Sequence, residues 1–156
     1  MLGANAQNVF PYTPATNLLY GLKEALAMLD EEGLFTVFAR HQRHAKATRA
    51  AVEAWGLEVL AENPSEYSGS LTAVLLPEGQ DADALRALIL ERFDLSLGNG
   101  LGKLKGKVFR IGHLGWFNDL MLAGTLFGVE TGLDLFGLPP QESGILAAQN
   151  VLKEPL

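Results

Sequence analysis

Glycine and proline punctuate this chain so closely that it cannot form a long strand. The β-like runs are Leu57-Glu58-Val59-Leu60, Leu71-Thr72-Ala73-Val74-Leu75-Leu76, Leu95-Ser96-Leu97 and the stretch 108–111. Each ends in turn chemistry: Asn63-Pro64, Pro77 with Gly79, Gly98-Asn99-Gly100-Leu101-Gly102, and Gly112. The segments between and around these runs have helical periodicity. The resulting order, αα-β-β-α-β-β-α-α, predicts an α+β fold in which helices cover one face of a small, mainly antiparallel sheet.

Local signals set the helix limits. After Pro11 and Pro14, Thr16 or Asn17 can cap a first helix, and Leu18, Leu19, Leu22, Leu26 and Leu29 form its apolar stripe. Gly33 ends it in the position that favours glycine. A second helix is predicted over 35–55, with Val37, Phe38, His41, Ala45, Thr48, Val52 and Trp55 on one face and Gly56 closing it. Asp81 caps a third helix, with Leu85, Leu88, Ile89 and Phe93 apolar. A long helix over 117–136 starts near Asn118 and ends at Gly137, with Leu120, Met121, Leu126, Phe127, Val129 and Leu133 expected inside. A last amphipathic segment, 143–152, packs back on the body or onto a partner. The stretch 1–8 has no helix-start signal and reads as connecting chain with something once before it.

Composition removes several function classes. At 156 residues, 48% of them hydrophobic, the chain is the size of one ordinary domain and can build a core. A net charge of −6 argues against nucleic acid, which needs a concentrated basic face. There is no cysteine, so disulfides and thiolate metal sites are excluded, in keeping with a reducing cytoplasm. No apolar run is long enough for a membrane helix, and the N-terminus lacks the pattern of a secretory signal.

Chemistry concentrates in Lys107-Val108-Phe109-Arg110-Ile111-Gly112-His113-Leu114-Gly115. A short strand delivers one arginine to a glycine-flanked turn, and the planar fork of arginine suits bidentate capture of a carboxylate. The alternative is an edge-strand arginine paired to a surface acid. His113 either lines a site beside Arg110 or caps the turn. The glycines at 98–102 fail both the nucleotide P-loop and the dinucleotide template, and read instead as a turn allowing close backbone approach. His41 and His44 are three apart on a helix without a carboxylate ligand at matching spacing, so a metal site there is weak. His41 reads as partly buried and His44 as solvated. In the arm, Tyr12 and Thr13 offer hydroxyls just before a helix start, an arrangement suited to an anion.

Taken together, the arm Phe10-Pro11-Tyr12-Thr13-Pro14-Ala15-Thr16-Asn17-Leu18-Leu19-Tyr20-Gly21-Leu22 and the segment Gly106-Lys107-Val108-Phe109-Arg110-Ile111-Gly112-His113-Leu114-Gly115 resemble class V, fold-type I pyridoxal-phosphate aminotransferases of the serine–glyoxylate and alanine–glyoxylate type. The resemblance covers nearly the whole chain in order. It implies an extended arm over 1–16 and, over 17–156, the C-terminal small domain with its connecting helix. It also implies roles: Arg110 binds the substrate carboxylate, and Thr13, with Tyr12 beside it, contacts the cofactor phosphate of the other subunit of a homodimer. The substrates implied are a small amino acid, serine or alanine, and glyoxylate or another 2-oxo acid. Phe10 stands where the family often has an aromatic hydroxyl, and Trp116 where many relatives have an acid. The family also needs a lysine that forms a Schiff base with pyridoxal 5′-phosphate. None of the six lysines here lies in a matching motif, so the chain alone is expected to be inactive and to bind no cofactor. A stand-alone module that binds small carboxylates, or only dimerises, is the rival expectation.

Overall fold

A computed structural model of the chain describes residues 3, 6, 7, 10 and 12–154. The expectation of connecting chain over 1–8 falls mostly on residues outside that set. The chain divides into two compact units, Met1–Val37 and Phe38–Leu156.

The first unit carries α1 (Thr16–Glu32), which none of its residues leaves buried. Leu18, Leu19, Leu22 and Leu26 are all exposed. The predicted side-chain cap is absent: Ala15 occupies the cap position, Thr16 is the first helical residue, and no side chain bonds the helix start. Gly33 closes α1 with a positive φ and donates its N–H to Leu29 O, as glycine at this position predicts.

In the second unit a four-stranded sheet has the order β1-β2-β4-β3, with every pairing antiparallel. Its strands are β1 (Glu58–Val59), β2 (Leu71–Leu75), β3 (Gly98–Asn99) and β4 (Val108–Gly112). The third strand is therefore displaced from the expected Leu95-Ser96-Leu97 into the glycine segment, because β4 offers its pairing partners to Gly98 and Asn99. The remaining helices are α2 (Leu34–Ala54, which begins in the first unit), α3 (Ala82–Phe93), α4 (Asp119–Leu135) and α5 (Gly144–Leu152). The capping residues Asp81, Asn118 and Ser143 each accept backbone N–H groups of the helix they start.

The core forms where α2, α3, α4 and α5 cover one sheet face. Val74, Phe109 and Ile111 from the sheet meet Ala51, Val52, Trp55, Leu85, Ile89, Leu122, Leu126 and Leu133. Alternation along β4 buries Phe109 and Ile111 on that side and turns Arg110 to the other. Two predicted faces are corrected. Leu120, Met121 and Phe127 are exposed rather than buried, and Leu122 is inside. The reason lies in Gly128 and Gly132, which let Leu95 and Ile89 approach so closely that a Cβ at Gly128 would meet Leu95 Cδ2 at 2.8 Å. Phe38 is likewise exposed on α2.

The C-terminal segment packs back on the body. Glu130 of α4 accepts the Trp55 indole N–H at 2.8 Å, the Ser143 hydroxyl at 3.1 Å and the Ile145 N–H at 3.1 Å, tying α2, α4 and α5 at one point. Gly144 lets the start of α5 lie directly against Trp55 and the Ala51 carbonyl.

Candidate functional site

Arg110 is central in β4, opposite Ala73 of β2 on one side and Gly98 of β3 on the other. Its residue is half-buried, and its Nε is sealed from solvent without a hydrogen-bond partner. Among the described residues Arg110 makes no ion pair, so the surface-pair alternative is not what the fold builds. The side chain lies across Gly98: a Cβ there would come within 3.0 Å of both Arg110 Cβ and Nε, and within 3.5 Å of Cζ. A buried donor left unpaired costs about 1–3 kcal/mol. A planar cation held at that cost suits a ligand that brings its own oxygens.

The glycine turn after β3 makes the close approaches its composition predicts. A Cβ at Gly100 would collide with the Leu104 carbonyl, so the turn closes tightly back beside Val108. Arg86 of α3 donates to Leu97 O at 2.8 Å and holds the entry to β3.

His113 is fully buried just past β4. Its Nδ1 lies 3.2 Å from Gly69 O, and its Nε2 lies 3.0 Å from Thr72 Oγ1. A carbonyl only accepts, so Nδ1 carries the proton and Nε2 accepts from the threonine hydroxyl. Burial pushes the imidazole pKa down to about 4. With both nitrogens used and the ring neutral, His113 ties the start of β2 to the end of β4.

The segment after the arginine strand is held by α2. Arg40 donates to Gly115 O and Phe117 O, each at 3.0 Å, and His41 Nε2 accepts the Gly115 N–H at 3.1 Å. One turn on, Arg43 Nη2 contacts both oxygens of Asp119 at 2.7 Å, and His44 Nε2 meets Asp119 Oδ1 at 2.8 Å. His44 is fully buried, edge-on to Phe117, which corrects the solvated reading. Burial, its largest influence, lowers the His44 pKa, and hydrogen bonding and charge from Asp119 only partly oppose this. At Asp119 burial raises the pKa, but His44 and Arg43 outweigh it and leave the carboxyl below its ordinary value. Sequence reasoning missed this cluster because Asp119 lies 75 residues from His44. No group of three or more metal-ligating side chains occurs among the described residues.

Tyr12 and Thr13 belong to the first unit and are exposed. They precede an α1 start that has no side-chain cap and no acid in its first turn, so no negative group there opposes a phosphate. Hydroxyls at that position can donate to an anion, and Phe10 supplies no further donor. Trp116 is exposed in the turn after His113.

Comparison with known proteins is consistent with these features. No protein-family model matches the chain. The chain is 50% identical over 133 residues to serine–glyoxylate aminotransferase of Hyphomicrobium methylovorum, a match covering 85% of this chain and 33% of that protein. It is 48% identical over 145 residues to the serine–glyoxylate aminotransferase of Arabidopsis thaliana, covering 92% of this chain and 36% of the relative. The crystal structure of pyridoxamine–pyruvate aminotransferase from Mesorhizobium loti superposes with a TM-score of 0.86 at 36% identity, covering 92% of this chain and 37% of that one. The chain thus spans about a third of the length of these relatives, and the matched region is their C-terminal portion. Over that region the chain is homologous to the C-terminal portion of class V pyridoxal-phosphate aminotransferases.

Proposed function

We propose that this chain is the C-terminal part of a pyridoxal-phosphate-dependent aminotransferase that moves an amino group from serine or alanine to glyoxylate or another 2-oxo acid. The observation that carries the reading is the half-buried Arg110 guanidinium, whose Nε is sealed and unpartnered and which makes no ion pair among the described residues. Amino donor and oxo acceptor share a carboxylate next to the reacting carbon. One arginine fork can therefore hold both in turn and fix the orientation of that carbon.

Pyridoxal phosphate, when bound, supplies the electron-withdrawing ring on which amino-group transfer depends. In this reading Thr13, with Tyr12 beside it, donates hydrogen bonds to the cofactor phosphate of the other subunit of a homodimer. The arm spans 1–16 and the small domain 17–156. His113 keeps β2 and β4 in register under Arg110 through its bonds to Gly69 O and Thr72 Oγ1. The lysine that handles protons at the substrate carbon belongs to the part of the enzyme outside this stretch.

Steady-state kinetics of the protein carrying this chain test the reading. Arg110→Ala should raise KM for both serine and glyoxylate by roughly a hundredfold while cofactor absorbance is retained. Unchanged KM values would overturn it. The 156-residue chain alone should not transaminate. A cofactor band that survives dialysis and is fixed to one of its lysines by borohydride would contradict that expectation.

A further inference from the structure

We infer that Gly98 is a positioning residue for substrate recognition: its missing side chain sets where the Arg110 guanidinium lies. The inference rests on the reading of Arg110 as the carboxylate clamp. It adds a residue that touches no substrate and carries no polar group.

Three observations support it. First, strand pairing puts Gly98 directly beside Arg110 in β3 and β4, so the two share one sheet face. Facing residues in an antiparallel pair ordinarily keep their Cβ atoms about 4.5–5.5 Å apart. A Cβ at Gly98 would lie only 3.0 Å from Arg110 Cβ and 3.0 Å from Nε. The arginine therefore occupies the space that a side chain at position 98 would fill. Second, the chain on either side of Gly98 is anchored. Arg86 bonds the Leu97 carbonyl at 2.8 Å, Asn99 pairs with Phe109, and the turn beyond is closed by the tight approach of Gly100 to Leu104. The strand is not free to swing away to admit a methyl group. Third, the contacted atom is Nε, which is buried and unpartnered. Nε has no hydrogen bond to pin it, so packing against the Gly98 backbone is the constraint that fixes it. Backbone strain is not the reason for glycine here, since among the described residues Gly98 is not one of the positive-φ glycines. The requirement is space.

A methyl at position 98 makes Arg110 give way by a few tenths of an ångström, part of the ~1 Å misplacement at an orienting group that can cost roughly a hundredfold in reaction. Gly98→Ala should therefore weaken carboxylate recognition roughly three- to tenfold, with the fold retained.

Nuclear magnetic resonance on the full chain tests this in two arms. Without ligand, wild-type Arg110 Hε should show a nuclear Overhauser contact to the Gly98 Hα protons. Gly98→Ala should move the Arg110 Nε–Hε resonance while leaving His113 and Phe109 in place. In the second arm, sodium pyruvate is titrated into wild type, Gly98→Ala and Arg110→Ala. The inference is supported if pyruvate perturbs the wild type, Arg110→Ala abolishes the response, and Gly98→Ala weakens it about threefold or more. Equal pyruvate binding by wild type and Gly98→Ala overturns the inference and leaves the Arg110 reading standing. A pyruvate response that is absent, or indifferent to Arg110→Ala, overturns that reading and the inference with it. If Gly98→Ala does not fold, the wild-type proton contact decides, and its absence overturns the inference.

Discussion

Acid should unfold this domain through His113 at a pH where most domains are still stable. The imidazole is fully buried and bonded through both nitrogens, and its pKa falls from 6.5 to about 4 in the fold. In the unfolded chain it returns to about 6.5. Between those values the unfolded state binds one proton more than the native state, so stability rises with pH across the window. The contribution is fully present above pH ~6.5 and is lost progressively as pH falls toward ~4, a total of ~3 kcal/mol. Urea unfolding at steps from pH 7.5 to 4, on wild type and His113→Asn, measures it. The asparagine amide can still donate toward Gly69 O and has no charge to gain. His44 is displaced in the same direction, mainly by burial, but it is present in both proteins and cancels in the difference. The expected result is a difference curve that slopes through the window by ~3 kcal/mol. Parallel curves, or a His113 resonance titrating with a midpoint near 6.5, would refute the reasoning.

Two further outcomes follow from the same geometry. Arg110→Met keeps the aliphatic stem and removes the orphaned Nε, so the ligand-free chain should gain about 1 kcal/mol in urea while losing its response to pyruvate. Asp119→Ala removes the shared acceptor of Arg43 and His44. It should cost about 1–3 kcal/mol and speed amide exchange at the start of α4.

The features legible in the sequence are those fixed locally. Asp81 and Asn118 cap helices because a short polar side chain meets an N–H two or three residues on. Gly33, Gly56 and Gly137 end helices because their backbone adopts positive φ. The place of Arg110 in a strand beside a glycine turn was legible because those residues are contiguous. What escaped depends on distant partners. β3 is a strand only because β4 pairs with it. The inward face of α4 is set by Gly128 and Gly132, whose neighbours Leu95 and Ile89 lie dozens of residues earlier. That helix is apolar around much of its circumference, so periodicity alone could not orient it. His44 is buried because an acid far along the chain folds back to it.

The Arg110–Gly98 contact also bears on how such a site is mapped experimentally. Truncation scans find residues by removing what they contribute, and Gly98 has nothing to remove. A survey that truncates side chains to alanine and passes over glycine would identify Arg110 and leave Gly98 untested. Only a scan that adds bulk would find it. Swapping clamp arginines between relatives would also fail wherever the facing position had gained a methyl group, even with every substrate-touching side chain unchanged.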